Sequence, residues 1–309
     1  MAQTSNLRGI ICMLASGFTF VLNDSLLKLA MAGLPPYEVL VMRGLSGAFF
    51  ALVLLGLNGE LKFQSVFISR PVILRAVLEC GAILTYIIAL AHAPIEDVTA
   101  IFQTTPLLVI MGMIFIHGEQ AALWRLGLIV LGFIGALLVA QPGQGTISPF
   151  VMLAFLTAVF AALRDLAARK IDPSIPAMFS TLVLIVTVLS VATLVSGISM
   201  WAASHLGIAL PGMADAWLRP DVAQIGMTFG AGLLMMLGHH FTLLAYRSAS
   251  AQAVAPFYYS FMIFAVVIGF LLFGDRPNLL GVVGMLTIMV SGLVLLAFER
   301  RPLPTAELP

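Results

Sequence analysis

Long apolar stretches, separated by short polar connections, follow one another along almost the whole chain of 309 residues. A helix needs about 20 predominantly apolar residues to cross the hydrocarbon core of a bilayer, and each stretch is long enough to form one. The stretches lack the strict alternation of polar and apolar residues that marks a membrane-spanning strand, so the pattern predicts an all-α membrane protein. The ten predicted spans are 8–31, 37–58, 71–92, 97–117, 121–140, 147–169, 175–197, 222–247, 251–273 and 278–298.

Two features depart from this regular pattern. The connection 198–221 is long and contains Trp201 and Trp217, so we expect part of it to lie at the interface between lipid and water. Pro106 and Pro256 interrupt the fourth and ninth spans. A proline leaves a backbone carbonyl without its helical partner, which a membrane helix tolerates only inside protein or beside a cavity.

The polar positions occur in two copies. An acid, a base and a proline recur 141 residues apart, as Asp24, Lys28 and Pro35 and again as Asp165, Arg169 and Pro176. Gly118-Glu119 likewise recurs as Gly274-Asp275, 156 residues later. The chain is therefore predicted to be a duplication.

The predicted repeats each contain five helices. We expect the first in residues 1–145, the second in residues 146–300 and a cytoplasmic tail in residues 301–309. Because five is odd, the second repeat must lie upside down relative to the first. Inverted repeats of this kind are typical of carriers that work by alternating access.

Composition and charge place the chain in a membrane. Charged residues make up 9% of it and apolar residues 61%, whereas a soluble domain has roughly 25% charged residues. The connections on one side carry ten lysines and arginines, and those on the other side carry four. The positive-inside rule therefore predicts a multi-pass protein of the cytoplasmic (inner) membrane with both termini in the cytoplasm. The net charge of +1 gives no reason to expect a nucleic acid partner.

The motifs of common catalytic sites are absent from the sequence. There is no GxxxxGK[ST] loop, His117 lacks the second histidine of a zinc protease helix, and the residues around Ser46 form no nucleophile elbow. Cys12 and Cys80 lie in apolar stretches, so we expect neither a disulfide nor a metal site. The chain is therefore not expected to be an enzyme or to bind a cofactor, and an intramembrane enzyme is kept only as an alternative.

Glu79 lies near the centre of the third span, where a charge costs several kcal/mol, roughly 2.5–3.5 on insertion scales. One interpretation pairs it with Arg75, one helical turn earlier, so that the two charges neutralise each other. The other makes Glu79 a carboxylate that lines a cavity and binds a cation or a proton. Both interpretations stay open at this point.

The repeated acid–base pairs also allow two interpretations. Asp24 and Lys28 share one helical face, as do Asp165 and Arg169. The bases could extend to the interface while the acids pair with them. Alternatively, each pair acts as a gate at one mouth of a central pathway, the first at the outer face and the second at the inner face. Arg43, on the second span, is grouped with these gating candidates.

Other polar residues inside the spans are weaker candidates for substrate contact. His239 and His240 could contact substrate or sense protons, or could simply bond a neighbouring helix. Gln103, Tyr86 and the pair Tyr258-Tyr259 could offer polar groups and flat faces to a ligand. The glycines of the fifth and tenth spans are expected to permit close helix packing. They are Gly127, Gly132, Gly135, Gly281, Gly284 and Gly292.

Three stretches resemble the EamA branch of the drug/metabolite transporter superfamily, over essentially the whole chain. They are NDSLLKLAMAGLPPYEVLVMRG (23–44), APIEDVTAIFQTTPLL (93–108) with HGEQAALWRLGLIVLGFIGALLVAQPG (117–143), and APFYYSFMIFAVVIGFLLFGDRPNLLGVVGMLTIMVSGLVLL (255–296). A Gly-acid pair at a helix end, followed by a glycine-bearing terminal helix, is the pattern of that superfamily. The start Asn23-Asp24-x3-Lys28, with Arg43 further on, is similar to bacterial uptake members proposed to import S-adenosylmethionine or riboflavin.

The resemblance implies two inverted five-helix halves around a central cavity, with the fifth and tenth spans packed behind. The residues that it places in or beside this cavity are Asp24, Glu79, Gln103, Arg164, His239 and Tyr258, to which we add Asn23, Tyr86 and Tyr259 as candidate substrate contacts. It implies a secondary carrier driven by proton coupling, exchange or facilitated flow.

The expected substrate is a small polar or zwitterionic metabolite, because acids and bases inside the spans are about equal in number. S-adenosylmethionine, a riboflavin-like compound and an amino acid all fit this description. An exporter of amino acids or toxic amphiphiles on the same fold is the alternative. Besides the substrate and the lipid bilayer, no partner is expected, and the protein is expected to be a monomer or a homodimer.

Overall fold

The computed structural model describes residues 2–59, 69–117, 123–140, 149–168, 175, 177–207, 217–248, 257 and 259–299. The helices in these ranges are α1 (Ala2–Met31), α2 (Pro36–Leu57), α3 (Arg70–His92), α4 (Ile95–Phe102), α5 (Thr105–His117), α6 (Leu123–Ala140), α7 (Pro149–Ala168), α8 (Ala177–Leu206), α9 (Val222–Ser248), α10 (Ser260–Phe273) and α11 (Leu279–Glu299). The prediction of an all-α membrane fold is confirmed. Each predicted span corresponds to one helix, except that the fourth comprises α4 and α5.

Six helices of the described ranges are long and apolar enough to cross a membrane: α1, α2, α3, α7, α8 and α9. Helices α6, α10 and α11 contain shorter apolar segments. Large apolar side chains cover the outside of the bundle, including Leu57, Leu194 and Leu271, which are 62–80% exposed. Soluble proteins rarely expose contiguous apolar patches of more than a few hundred Å², so this surface faces lipid.

The seventh span is longer than the sequence pattern predicted. Helix α8 runs to Leu206, so the prediction that it ends at residue 197 is wrong. Trp201 lies on this helix with an exposed ring, and Trp217 returns to α8, where its Nε1 donates a hydrogen bond to Ser196 Oγ at 2.8 Å. The apolar run through Ile198 lets the helix continue, and Gly207, at φ 66°, follows its end.

The fourth span is broken, as predicted from Pro106, and the break falls at Gln103 and Thr104. Pro106 has no N–H to bond the carbonyl of Phe102, four residues earlier. Thr105 Oγ1 donates to that carbonyl instead, at 2.6 Å, and Thr104 Oγ1 donates to Ile101 O at 2.7 Å. The two hydroxyls therefore satisfy the backbone at the break. Pro256, the second predicted interruption, lies outside the described residues.

The main contacts between the halves occur in symmetric pairs. Helix α1 packs along α9, and α3 packs along α7. In a ten-span duplication α7 is the counterpart of α1, and α9 is the counterpart of α3. The α1–α9 and α3–α7 contacts are therefore counterparts of each other. Ser16 of α1 meets Thr242 at 2.6 Å, whereas Leu26 lies beside Gly230, so α1 and α9 run antiparallel.

The second of these contacts is also antiparallel. Thr85 of α3 lies 2.8 Å from Thr157 of α7, and the earlier residue Glu79 meets the later residue Arg164. Helices α1 and α3 of the first half therefore each run antiparallel to the helix of the second half that they contact. The contacts thus agree with the inverted arrangement that an odd number of spans requires.

Helices α6 and α11, the last of each half, pack closely through glycine. A Cβ added to Gly135 would lie 2.8 Å from Gly284 O, and one added to Gly284 would lie 2.6 Å from Gly135 O. Neither position has room for a side chain, so the predicted packing role is confirmed for these two glycines. Gly127, in contrast, has nothing within 4 Å of an added Cβ.

We expect Gly135→Ala to lower the free energy of unfolding by about 1–3 kcal/mol, because its methyl group would press against the α11 backbone. Gly127→Ala is the matched control on the same helix, and it should leave stability unchanged or raise it slightly. Thermal unfolding of both variants in detergent measures the difference. Equal melting temperatures would contradict the close α6–α11 contact.

Candidate functional site

Helix α3 carries three polar side chains that reach neighbouring helices. Arg75, Glu79 and Tyr86 are separated by four and seven residues, which places them on one helical face. At 1.5 Å per residue they span about 16 Å along the helix. Each reaches a different helix, and together with Lys28 they define three levels of polar contacts, named here inner, middle and outer.

The inner level is an ion pair between the halves. Arg164 Nη1 of α7 lies 2.6 Å from Glu79 Oε2, and Arg164 Nε lies 2.9 Å from Asp165 Oδ1. One guanidinium therefore bridges two carboxylates, a geometry that its planar fork of donors favours. Arg164 and Asp165 are adjacent on α7, so their contact depends on that helix alone. The contact with Glu79 also requires α3 to pack against α7.

Arg75 does not form the predicted hydrogen-bonded pair with Glu79. Its Nη1 donates instead to Ser180 Oγ of α8 at 2.7 Å, although it remains within electrostatic range of Glu79. The pairing interpretation is wrong because Arg164 reaches Glu79 from across the helix contact. His239 of α9 also lies within range of Glu79, and its ring stands edge-on to Phe20 at 5.0 Å.

The middle level centres on Asp24. Tyr86 donates to Asp24 Oδ2 at 2.6 Å, and Asn23 Nδ2 donates to Asp24 Oδ1 at 2.8 Å. Arg43 of α2 is 6% exposed and lies within electrostatic range of both Asp24 and Glu79. The structure therefore brings Asn23, Asp24, Arg43 and Tyr86 together, from three helices.

The outer level holds Lys28, one helical turn beyond Asp24. Lys28 Nζ donates to the carbonyl of Ala93 at 2.8 Å and lies 3.7 Å from Asp275 Oδ2 and 5.0 Å from the centre of the Phe273 ring. The interpretation in which Lys28 pairs with Asp24 is wrong. At the end of the helix the flexible lysine side chain reaches α10, whereas the shorter Asp24 is held by Tyr86.

The position of Asp275 follows from the glycine before it. Gly274 ends α10 at φ 70°, a left-handed conformation that glycine adopts without steric cost. The turn lets Asp275 N donate to Gly269 O at 3.3 Å and directs the chain back toward α1. The repeated Gly-acid motif signalled this residue in the sequence, but the sequence analysis did not include it among the site residues.

The remaining candidates lie elsewhere or outside the described residues. Gln103 is fully buried at the break between α4 and α5. Tyr259 is 2% exposed in an apolar cluster with Met285 and Ile288, where it lies against Gly292, so the structure does not bring it to the acids. Tyr258 and Arg169 are not among the described residues.

Sequence reasoning missed Glu38, which is 3% exposed in the first turn of α2. Its Oε2 accepts a hydrogen bond from the backbone N–H of Leu218 at 2.9 Å and so fixes the segment that leads into α9. The available signal was the Pro-Pro-Tyr-Glu sequence, since prolines and acids favour the first turn of a helix.

Comparisons with known proteins give these contacts a context. Residues 7–141, which run from α1 to the end of α6, match the model of the EamA-like transporter family. The first half of the chain is therefore similar to the EamA-like transporters. The chain is 28% identical over 293 residues to the pseudopaline exporter CntI of Pseudomonas aeruginosa (strain UCBPP-PA14). The aligned region covers 93% of this chain and 95% of that protein.

Two further relatives are named as transporters of small molecules. The chain is 23% identical over 302 residues to an S-adenosylmethionine uptake transporter of Rickettsia prowazekii (strain Madrid E), covering 97% of this chain and 96% of that protein. It is 27% identical over 227 residues to a riboflavin transporter of Rhizobium johnstonii, covering 74% and 70%. A solved structure with 15% identity covers 98% of this chain and all of that chain at a TM-score of 0.63, which shows the shared fold.

The charged side chains of the site are balanced in sign. The inner and middle levels contain three acids and three arginines, which are Asp24, Glu79, Asp165, Arg43, Arg75 and Arg164. A cluster with no net excess of either sign does not favour a purely anionic or purely cationic ligand. It can bind a molecule that carries both charges.

We expect Arg164→Gln to destabilise the protein more than Glu79→Gln. The first change leaves two carboxylates without their shared cation, whereas the second leaves Arg164 with Asp165. Removing one partner of a fully buried pair costs about 3–5 kcal/mol, and partial exposure lowers the expected loss to roughly half of that. Side-chain exposure is 18% for Arg164 and 12% for Glu79.

Melting temperatures in detergent measure this order, with the exposed Arg219→Gln as a control for loss of a positive charge. A larger loss for Glu79→Gln would show instead that Arg75 and His239 depend on the carboxylate more than Arg164 does.

Proposed function

We propose that the protein is a secondary carrier that moves a small zwitterionic metabolite across the cytoplasmic membrane by alternating access. The observation that carries this proposal is the balanced cluster of charges beside the contact between the two halves, in which Glu79 and Arg43 are buried. Charges inside a membrane bundle are costly, and they mark the pathway of a substrate or an ion in transporters. The site lies where inverted repeats place the substrate, near the middle of the bundle.

The substrate class follows from the charge balance and from the named relatives. S-adenosylmethionine, riboflavin or an amino acid is the proposed substrate, with coupling to protons or to a counter-substrate. Uptake is favoured by the name of the S-adenosylmethionine uptake transporters. Export is the second candidate, because the pseudopaline exporter is similar over 93% of this chain.

Orientation and domain limits belong to the same proposal. The first repeat is residues 1–145 and the second is residues 146–300, and both termini lie in the cytoplasm. The antiparallel pairing of α1 with α9 and of α3 with α7 supports this arrangement, as does the excess of basic residues on one side. Whether the carrier works as a monomer or as a homodimer does not affect the argument.

Counterflow in proteoliposomes tests the proposed function. Liposomes loaded with an unlabelled compound should accumulate its labelled form for at least one of S-adenosylmethionine, riboflavin and the amino acids, and empty liposomes should not. Asp24→Asn should reduce this exchange, and the exposed Asp221→Asn should leave it unchanged. If folded protein exchanges none of these compounds, the transport proposal fails for this substrate class.

We propose that the contact between Lys28 and Asp275 holds the outer mouth closed. It joins α1 of the first half to the end of α10 in the second, and Phe273 packs against the same lysine. The gating role expected for Lys28 is therefore retained with a different partner. Asp165 and Arg43 are the other gating candidates. Asp165 is bound to Arg164, and this contact with the inner ion pair supports a role for Asp165 at the opposite mouth.

Asp275→Asn should therefore favour outward-open molecules. The Lys28 and Asp275 side chains are 19% and 24% exposed. A partly exposed ion pair contributes about 1 kcal/mol, which corresponds to a shift of roughly fivefold. The readout is the alkylation rate of a cysteine introduced by Thr99→Cys, a buried site in α4, in a background of Cys12→Ala and Cys80→Ala. Asp221→Asn is the control, and an unchanged rate for Asp275→Asn would reduce the contact to an anchor at the interface.

A further inference from the structure

Arg43 differs from the other arginines of the site because it has no close partner. It is 6% exposed, and its Nε has no hydrogen-bond partner. No ion pair within 4.0 Å involves Arg43 among the described residues. Arg164, in contrast, bridges two carboxylates, and Arg75 is bonded to Ser180.

The two carboxylates nearest to Arg43 are already engaged elsewhere. Asp24 accepts hydrogen bonds from Tyr86 and Asn23, and Glu79 is bound to Arg164. Arg43 is attracted to both acids but is in contact with neither. It is therefore a buried cation with a free Nε donor, near two carboxylates that it does not contact.

A free acceptor lies on the neighbouring helix. Asn23 is 2% exposed, and its Nδ2 donates to Asp24, which leaves its Oδ1 without a hydrogen-bond partner. Asp24 itself has no cation within 4.0 Å among the described residues, since both of its hydrogen bonds come from uncharged groups. Asn23 and Asp24 thus present negative and acceptor atoms, while Arg43 presents positive and donor atoms.

A structural role explains this arrangement poorly. Burying a guanidinium costs several kcal/mol unless an anion in contact compensates for it, and buried polar atoms in native proteins are nearly always bonded. In a bilayer the surrounding lipid cannot supply the missing partner. Unpaired groups of opposite character, on adjacent helices at the middle level, are what a site needs before its ligand binds.

We propose that Arg43 binds the carboxylate of the substrate, and that Asp24 together with Asn23 Oδ1 binds its cationic group. The substrate is then a compact zwitterion with a free carboxylate, of the kind presented by an α-amino acid. The planar fork of an arginine complements a carboxylate through two parallel hydrogen bonds. This inference rests on the proposed function and deepens it, because it assigns Arg43 to binding instead of gating.

Thermal-shift titration of the purified protein tests the assignment with a defined panel: the twenty standard amino acids, S-adenosylmethionine and riboflavin. At least one zwitterion should stabilise the wild type, because a ligand that binds only the folded state raises its stability by mass action. The carboxamide of the best ligand should bind at least roughly tenfold more weakly than the free acid. In Arg43→Gln the acid and the amide should bind equally.

The stability of the ligand-free variants separates binding from folding. Because Arg43 has no partner to strand, Arg43→Gln should melt at or above the wild-type temperature, whereas Arg164→Gln should melt below it. Arg43→Lys keeps the charge without the fork and should retain part of the preference for the acid. The exposed Arg276→Gln is the matched control and should bind the ligand as the wild type does.

Three results would overturn the inference. The first is that riboflavin alone, or no compound of the panel, stabilises the protein. The second is that Arg43→Gln still binds the acid more tightly than the amide. The third is that Arg43→Gln loses as much stability as Arg164→Gln. The proposed function is tested separately. A ligand that depends on Arg43 but is never exchanged in counterflow would refute transport, while exchange of compounds without a carboxylate would refute only the role of Arg43.

Discussion

The ion pair between Glu79 and Arg164 is the constraint on which the central part of this bundle depends. A carboxylate at the middle of an apolar helix needs a partner, because the hydrocarbon around the bundle solvates neither charge. The partner comes from the other half of the chain, so neutralising Glu79 and joining the halves are one event. Once the two side chains meet, α3 and α7 can pack in only one register, and Thr85 then faces Thr157.

The same register places the other polar side chains of α3. Tyr86 follows Glu79 by seven residues and reaches Asp24 on α1, while Arg75 reaches Ser180 on α8. The contact that the duplication relates to α3–α7 is of a different kind. Between α1 and α9 the bonds come from hydroxyl groups, with Ser16 donating to Gly238 O at 3.0 Å and contacting Thr242. Two contacts related by duplication are thus held by a charge pair on one side and by neutral groups on the other.

The sequence predicted the helices well and the polar partners poorly, for a physical reason. Apolar length and proline chemistry are local, so the spans and the break near Pro106 could be found without knowing the packing. The partner of Glu79 lies 85 residues away, and only helix packing decides between it and the nearby Arg75. The flexible Lys28 is a similar case. The repeated Gly-Asp motif pointed to Asp275, but nothing local indicated that the lysine would reach it.

In the proposed binding mode, Arg43 links substrate binding to the contact between Lys28 and Asp275. Asn23 and Asp24 lie on α1 one turn before Lys28, so a ligand bound to them acts on the helix that holds the outer contact. A ligand can shift the equilibrium between two states only by its difference in affinity for them. A ligand bound as proposed would supply such a difference if it drew α1 toward Arg43 on α2, because Lys28 would then move relative to Asp275. A charge that is unpaired before binding and paired afterwards would in this way let the substrate change which mouth is open.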